Sequence, residues 1–149
     1  VDLYLMRHGE AADAPRDRDR PLTARGRAQA RTSAQGLKAL GASPTRLWHS
    51  PYLRAAETAA IVGEVFGLVP IVDERFVPDG DGDGCARFLL GERQGGLVVA
   101  HMPILPATLH ALVGAGASFS TAGVAHVAVM GGHAVLVGLY SAAALERHS

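Results

Sequence analysis

The sequence predicts an α/β protein, a three-layer α/β/α arrangement around a central, mainly parallel sheet with one antiparallel edge strand. Three observations carry that prediction. Short apolar runs alternate with longer segments of helical periodicity, which is the pattern of βαβ units. The 149 residues suffice for one domain with its own core, and no linker, internal repeat or low-complexity tract divides them. With 48% apolar and 19% charged residues, the composition is that of a folded chain rather than a disordered one. A single domain over 1–149 is the expectation.

Each element has a local reason. Asp2 to Met6 is an apolar run that stops at Arg7-His8-Gly9, and reads as the first strand. Residues 11–21, with alternating Asp and Arg and two prolines, read as a loop. Thr23 is placed to cap a helix whose inner face is Ala30, Ala34, Leu37 and Leu40, ending near Gly41. Thr45 to His49 is a short strand. "SPYLRAAETAAIVGEVFG" then predicts a helix with Ser50 as cap, Pro51 in its first turn, Gly67 as its stop and Ala55, Ala59, Val62 and Phe66 as its buried stripe. Val69 to Val72 is a further brief strand, 73–84 a Gly/Asp-rich loop and 85–91 a short helix. "GLVVA" (96–100) has the continuous apolar character of a strand covered on both faces, and Pro103 opens a helix to Val113. Two apolar runs about Gly131-Gly132 predict a terminal hairpin.

Several function classes are excluded or disfavoured. No run approaches the roughly 18 apolar residues of a membrane span, and the start has the form of neither a signal nor a transit peptide. Cys85 is the single cysteine, so no internal disulfide forms, which suits a cytoplasmic protein. No basic stripe with interleaved aromatics points to nucleic acid. The zero net charge conceals an asymmetry: residues 1–60 hold ten Lys/Arg and six Asp/Glu, whereas 61–149 hold four and eight. A +4 half on a neutral chain points to an anionic ligand smaller than a nucleic acid. "DGDGDG" (79–84) begins like a calcium loop, but the twelfth position from Asp79 is Leu90 where a bidentate Glu is required. His49, His110, His126, His133 and His148 have no zinc-ligand spacing and read as structural or surface residues.

The chemistry is expected at the carboxyl ends of the strands, where ligands of open α/β sheets bind. His8 follows the first strand and His101 follows "GLVVA". Arg54 falls in the first turn of its helix, where the macrodipole disfavours a cation unless an anion also sits there. Arg7, His8, Arg54 and His101 together would make a cationic cup for one phosphoryl group. Each has a plainer alternative: a surface or hydrogen-bonded histidine, or an Arg54–Glu57 pair.

Taken together, "LMRHGEA", "RPLTARGRAQA", "SPYLRAAETA" and "VVAHMP" resemble, in this order, the histidine phosphatase superfamily, named for its Arg-His-Gly signature. Small size and the "RPLT" and "HMP" details look most like its SixA-type phosphohistidine phosphatases. The resemblance implies a phosphoglycerate-mutase-like fold with a minimal cap. It further implies a monomeric, metal-independent phosphatase that needs no cofactor. In it His8 takes the phosphoryl group, and Arg7, Arg54 and His101 hold its oxygens. Arg20, Thr23 and Ser50 align with motif positions near the pocket, although helix capping is the plainer role for Thr23 and Ser50, and an ion pair within "RDRDRP" is an equal alternative to substrate docking for Arg20. The superfamily's acidic proton donor lies in a longer segment than the "DERFVPDGDGDG" found here, which leaves Asp81 as first candidate and Asp83 and Glu10 behind it. The implied substrate is phosphohistidine on a signalling phosphotransfer protein. A small phosphorylated substrate, or phosphate binding without turnover, are the alternatives.

Overall fold

The computed structural model describes residues 1–149. Six strands form one sheet: β1 (Asp2–Arg7), β2 (Arg46–His49), β3 (Ile71–Val72), β4 (Gly96–Ala100), β5 (Val124–Met130) and β6 (His133–Tyr140), in the order β3-β2-β4-β1-β5-β6. Strands β1 to β4 run parallel, and β5 pairs antiparallel with both β1 and β6. The antiparallel strand is therefore one place in from the edge rather than at it. The tight Gly131-Gly132 turn, with φ of 56° and 80°, folds β6 back outside β5.

Five helices cover the sheet: α1 (Ala24–Ala39), α2 (Leu53–Phe66), α3 (Gly82–Gly91), α4 (Ile104–Val113) and α5 (Ala142–Glu146). The period of two in the strands divides the core in two. Leu3, Leu5, Trp48 and Val98 face α3 and α4 through Leu89, Leu105 and Leu109. Tyr4, Met6, Leu47, Leu97 and Val99 face the other way, onto Ala34, Leu37, Ala55, Ala59, Val62 and Leu145. All five residues of β4 are buried, as its unbroken apolar character requires.

Four local expectations change. The α3 helix begins three residues earlier than 85, because Asp81 accepts a hydrogen bond from Asp83 N and caps it. The "DGDGDG" stretch is thus a helix start rather than a calcium loop. Ser50 does not cap α2, whose N-cap is Tyr52 without a side-chain bond. Leu40 is exposed at the end of α1, and Phe66 is half-buried. The α5 helix was not predicted; Ser141 caps it through Ala144 N.

Topology decides where ligand can bind. From β1 the chain crosses past β4 to β2, whereas from β4 it crosses past β1 to β5. The connections leave in opposite directions, so the carboxyl ends of β1 and β4 form the switch point of the sheet. Arg7 is in register with Ala100, which sets His8 and His101 side by side there.

Candidate active site

The backbone fixes His8 from three sides. Its N–H donates to Ala100 O at 3.0 Å, its carbonyl accepts from Ala122 N at 2.9 Å, and the preceding Arg7 N–H donates to Gly123 O at 3.0 Å. Ala122 adopts φ of 57°, a left-handed conformation that costs a non-glycine residue about 1–2 kcal/mol. Its carbonyl is held by the buried Ser33 hydroxyl at 2.9 Å. Gly9 and Gly26 meet backbone to backbone, and a Cβ on either would strike the other segment. This contact presses the loop after β1 onto the start of α1.

The His8 ring has a definite proton arrangement. Nδ1 lies 2.7 Å from Gly9 O, and a carbonyl can only accept, so Nδ1 carries the hydrogen. Nε2 then presents a lone pair, which accepts from Arg54 Nε at 3.3 Å. Burial pushes the ring's pKa down to about 4, against the Gly9 bond and with help from Arg54, Arg7 and Arg20. His8 is therefore a neutral base at pH 7. The neighbouring arginines contribute less to this than burial does.

His101 is neutral too, its pKa pushed down to about 3 by burial first and by His8 and Arg54 next. A charged His101 is thus not the state of the free protein. Ser50 holds the ring at Nε2. The Ser50 hydroxyl oxygen accepts from Tyr52 N at 3.2 Å and lies 2.7 Å from His101 Nε2, leaving Nδ1 as the free ring nitrogen. That Nδ1 is buried without a partner, as is Nε of Arg7. Buried polar atoms without partners are uncommon and costly. The His101 ring lies beside that of His8, with centroids 5.2 Å apart, and Arg7 directly precedes His8 in the chain.

Arg54, only 5% exposed, sits in the first turn of α2. It pairs not with Glu57 but with Asp17, through Nη1 to the carbonyl at 2.7 Å and Nη2 to Oδ2 at 3.2 Å. Glu57 is engaged by Arg27 and Leu22 N. Thr58, one turn on, accepts from Gly9 N and donates to Arg54 O, linking the two motifs. Tyr52 packs against His101 with ring centroids 5.1 Å apart and meets the Arg54 guanidinium at 5.1 Å.

The remaining candidates have other partners. Arg20 bonds Asp17 and Ala12 O. Thr23 caps α1 through Gly26 N and donates to Glu10. Glu10 also pairs with Arg25 at 3.4 Å. Asp81 caps α3 with its side chain 72% exposed, at the carboxyl edge of the sheet but without a bond to any of the four. The cavities of the molecule, about 170–520 Å³, lie elsewhere, and none is lined by Arg7, His8, Arg54 or His101. The loop that carries Asp17 lies against Arg54, and His8, Arg54 and His101 are all buried. Sequence reading missed Asp17, Ser33 and Ala122, whose roles come from folding and leave no local mark. Thr58 was findable, being one helical turn after Arg54.

Residues 3–77 match the family model of the histidine phosphatase superfamily (branch 1). The chain belongs to that superfamily. It is 33% identical to the phosphohistidine phosphatase SixA of Escherichia coli over 112 residues, covering 70% of each protein. The structure of protein histidine phosphatase SixA complexed with tungstate superimposes with a TM-score of 0.89 at 29% identity, covering 96% of this chain and 98% of that one. A SixA structure from Nakamurella, described there as a putative phosphohistidine phosphatase, gives 0.80 at 25% identity, over 93% and 94%. The fold is accordingly phosphoglycerate-mutase-like, and this member of the superfamily is a phosphatase.

Proposed function

We propose that the protein removes the phosphoryl group from phosphohistidine on a protein, through a phosphorylated His8. The observation that carries this reading is the His8 ring itself: Nδ1–H is tied to Gly9 O, which leaves Nε2 unprotonated, with the Arg54 guanidinium and the His101 ring beside it. In the first step Nε2 forms a bond to phosphorus as the P–N bond of the substrate breaks. The positive charge that develops on His8 falls on Nδ1–H, against the Gly9 carbonyl. Arg7, Arg54 and His101 stabilise the three equatorial oxygens, since phosphoryl transfer is mostly positioning and electrostatics. In the second step water attacks phosphorus, the Nε2–P bond breaks, and dihydrogen phosphate leaves with both protons of the water.

Substrate class follows from the leaving group. An alkoxide needs a proton in the transition state, whereas an imidazole protonated at its other nitrogen leaves as a neutral molecule. Asp17 is the carboxylate bonded to this site, and it sits between two guanidiniums with no proton to give. Asp81 caps α3 and Glu10 pairs with Arg25, so any donor role for Asp81 would require it to leave its cap.

The test is single-turnover kinetics on a phosphohistidine phosphotransfer protein and on p-nitrophenyl phosphate. Rapid phosphohistidine loss, slow aryl phosphate cleavage and no reaction with His8→Ala are expected. Fast aryl phosphate turnover would move the substrate to small phosphomonoesters. Binding without turnover of either would replace the enzyme reading with a phosphate-binding one.

A further inference from the structure

The Arg54 guanidinium is a planar fork, and its partners divide it by edge. Nε faces His8 Nε2, while Nη1 and Nη2, at the opposite end, are held by the carbonyl and carboxylate of the single residue Asp17. Asp17 is itself tied down. Its Oδ1 lies 3.3 Å from Arg20 Nη1, Arg20 Nε donates to Ala12 O at 3.0 Å, and the Ala11–Leu22 bridge closes the loop at its base. Arg18 on the same loop lies over the Tyr52 ring, which also meets Arg54.

We propose that Asp17 is a positioning residue of the phosphoryl site: by clamping Arg54 end-on, it keeps the Nε edge toward His8, where Nε–H exchanges the His8 lone pair for a phosphoryl oxygen when the anion enters. The inference rests on His8 as the phosphoryl acceptor. A carboxylate beside an anion site repels the ligand, so its placement there requires a compensating gain, and the gain is the fixed orientation of Arg54. Proton transfer is not that gain. Hydrogen bonds from Arg54 and Arg20 outweigh partial desolvation and hold the Asp17 carboxyl below its usual range, making it neither a donor nor a good base at pH 7.

Tungstate binding to the full chain by calorimetry, together with the ¹H–¹⁵N signal of Arg54 Nε–H, separates orientation from charge in Asp17→Asn and Asp17→Ala. Asn keeps an oxygen for Nη2 and drops the repulsion; Ala loses both, and the carbonyl contact survives in each. We expect Asp17→Asn to bind within about threefold of wild type or tighter, and Asp17→Ala to bind at least about tenfold more weakly than Asp17→Asn, with the Arg54 Nε–H signal broadened in the alanine variant alone. Equal affinity in the two variants, or an alanine variant tighter than wild type, would overturn the proposal and make Asp17 a competitor of the anion. Neither readout needs turnover, so an inactive wild type that binds tungstate would sink the phosphatase mechanism and leave Asp17 to be decided. A wild type that binds no tungstate removes the phosphoryl site and this proposal with it.

Discussion

Ser50 shows how much of the site is decided by single hydrogen bonds. Its hydroxyl receives Tyr52 N–H and lies 2.7 Å from His101 Nε2, and so holds the ring in place. Ser50→Ala should lower the rate of phosphoryl transfer about tenfold, the worth of one buried hydrogen bond, while leaving the fold intact. A rate within twofold of wild type in the same single-turnover assay would show that His101 does not need this partner. His101 also makes anion binding a proton-linked event. It is neutral in the free protein, with a pKa near 3, and an oxyanion beside it favours the charged ring. Tungstate binding at about pH 6 should therefore take up a fraction of a proton, seen as a binding enthalpy that depends on the ionisation heat of the buffer. An enthalpy independent of the buffer would mean that His101 stays neutral. At this scale the sequence exposed Arg7, His8, Arg54 and His101, because each lies at the end of an element whose pattern is strong. It hid Asp17, since the alternation "RDRDR" offers several equivalent pairs and only folding selects one.

Elements hold these side chains by close backbone approach. A Cβ on Gly26 would run into the Glu10 carbonyl, and Gly9 meets Gly26 in the same contact. Gly26→Ala should destabilise the protein by about 1–3 kcal/mol, the usual cost of overpacking, and lower its Tm. It should also loosen the loop carrying His8. An unchanged Tm would show that the α1 start can move aside freely. The buried strands and amphipathic helices were legible because periodicity and caps agree there, as with Thr23 and the Gly67 stop. Where they conflicted the prediction slipped. "SPY" resembles a cap followed by a first-turn proline, yet Ser50 is drawn to His101 and α2 starts at Leu53. The place of β5 inside β6 could not be read from a hairpin pattern, because either strand of a hairpin can pair with the sheet.

At the scale of the whole molecule, the two histidines tie stability to pH. Both rings are buried and neutral, with folded values near 4 and 3 against about 6.5 in the unfolded chain. The unfolded chain binds more protons below pH 6.5, so the stability these groups allow is full above that value. It is lost as pH falls toward about 4, by up to ~1.4 kcal/mol per pH unit for each histidine. The urea midpoint should drop between pH 7 and 5, and less in a His101→Asn variant; a flat profile would mean that one ring is already charged in the folded state. The sheet's switch point also gathers the candidate residues in one place. Strand order sets β1 beside β4, register aligns Arg7 with Ala100, and the helix start at Arg54 completes the cup. The measurement that tests the central claim most directly is trapping of the intermediate: mixing enzyme with a phosphohistidine phosphotransfer protein, quenching in alkali within milliseconds, and mapping the phosphorylated peptide by mass spectrometry. Transient phosphate on the segment containing His8, absent in His8→Ala, is the predicted result. Full release of phosphate with no phosphorylated enzyme at any time, or with label on another residue, would contradict it.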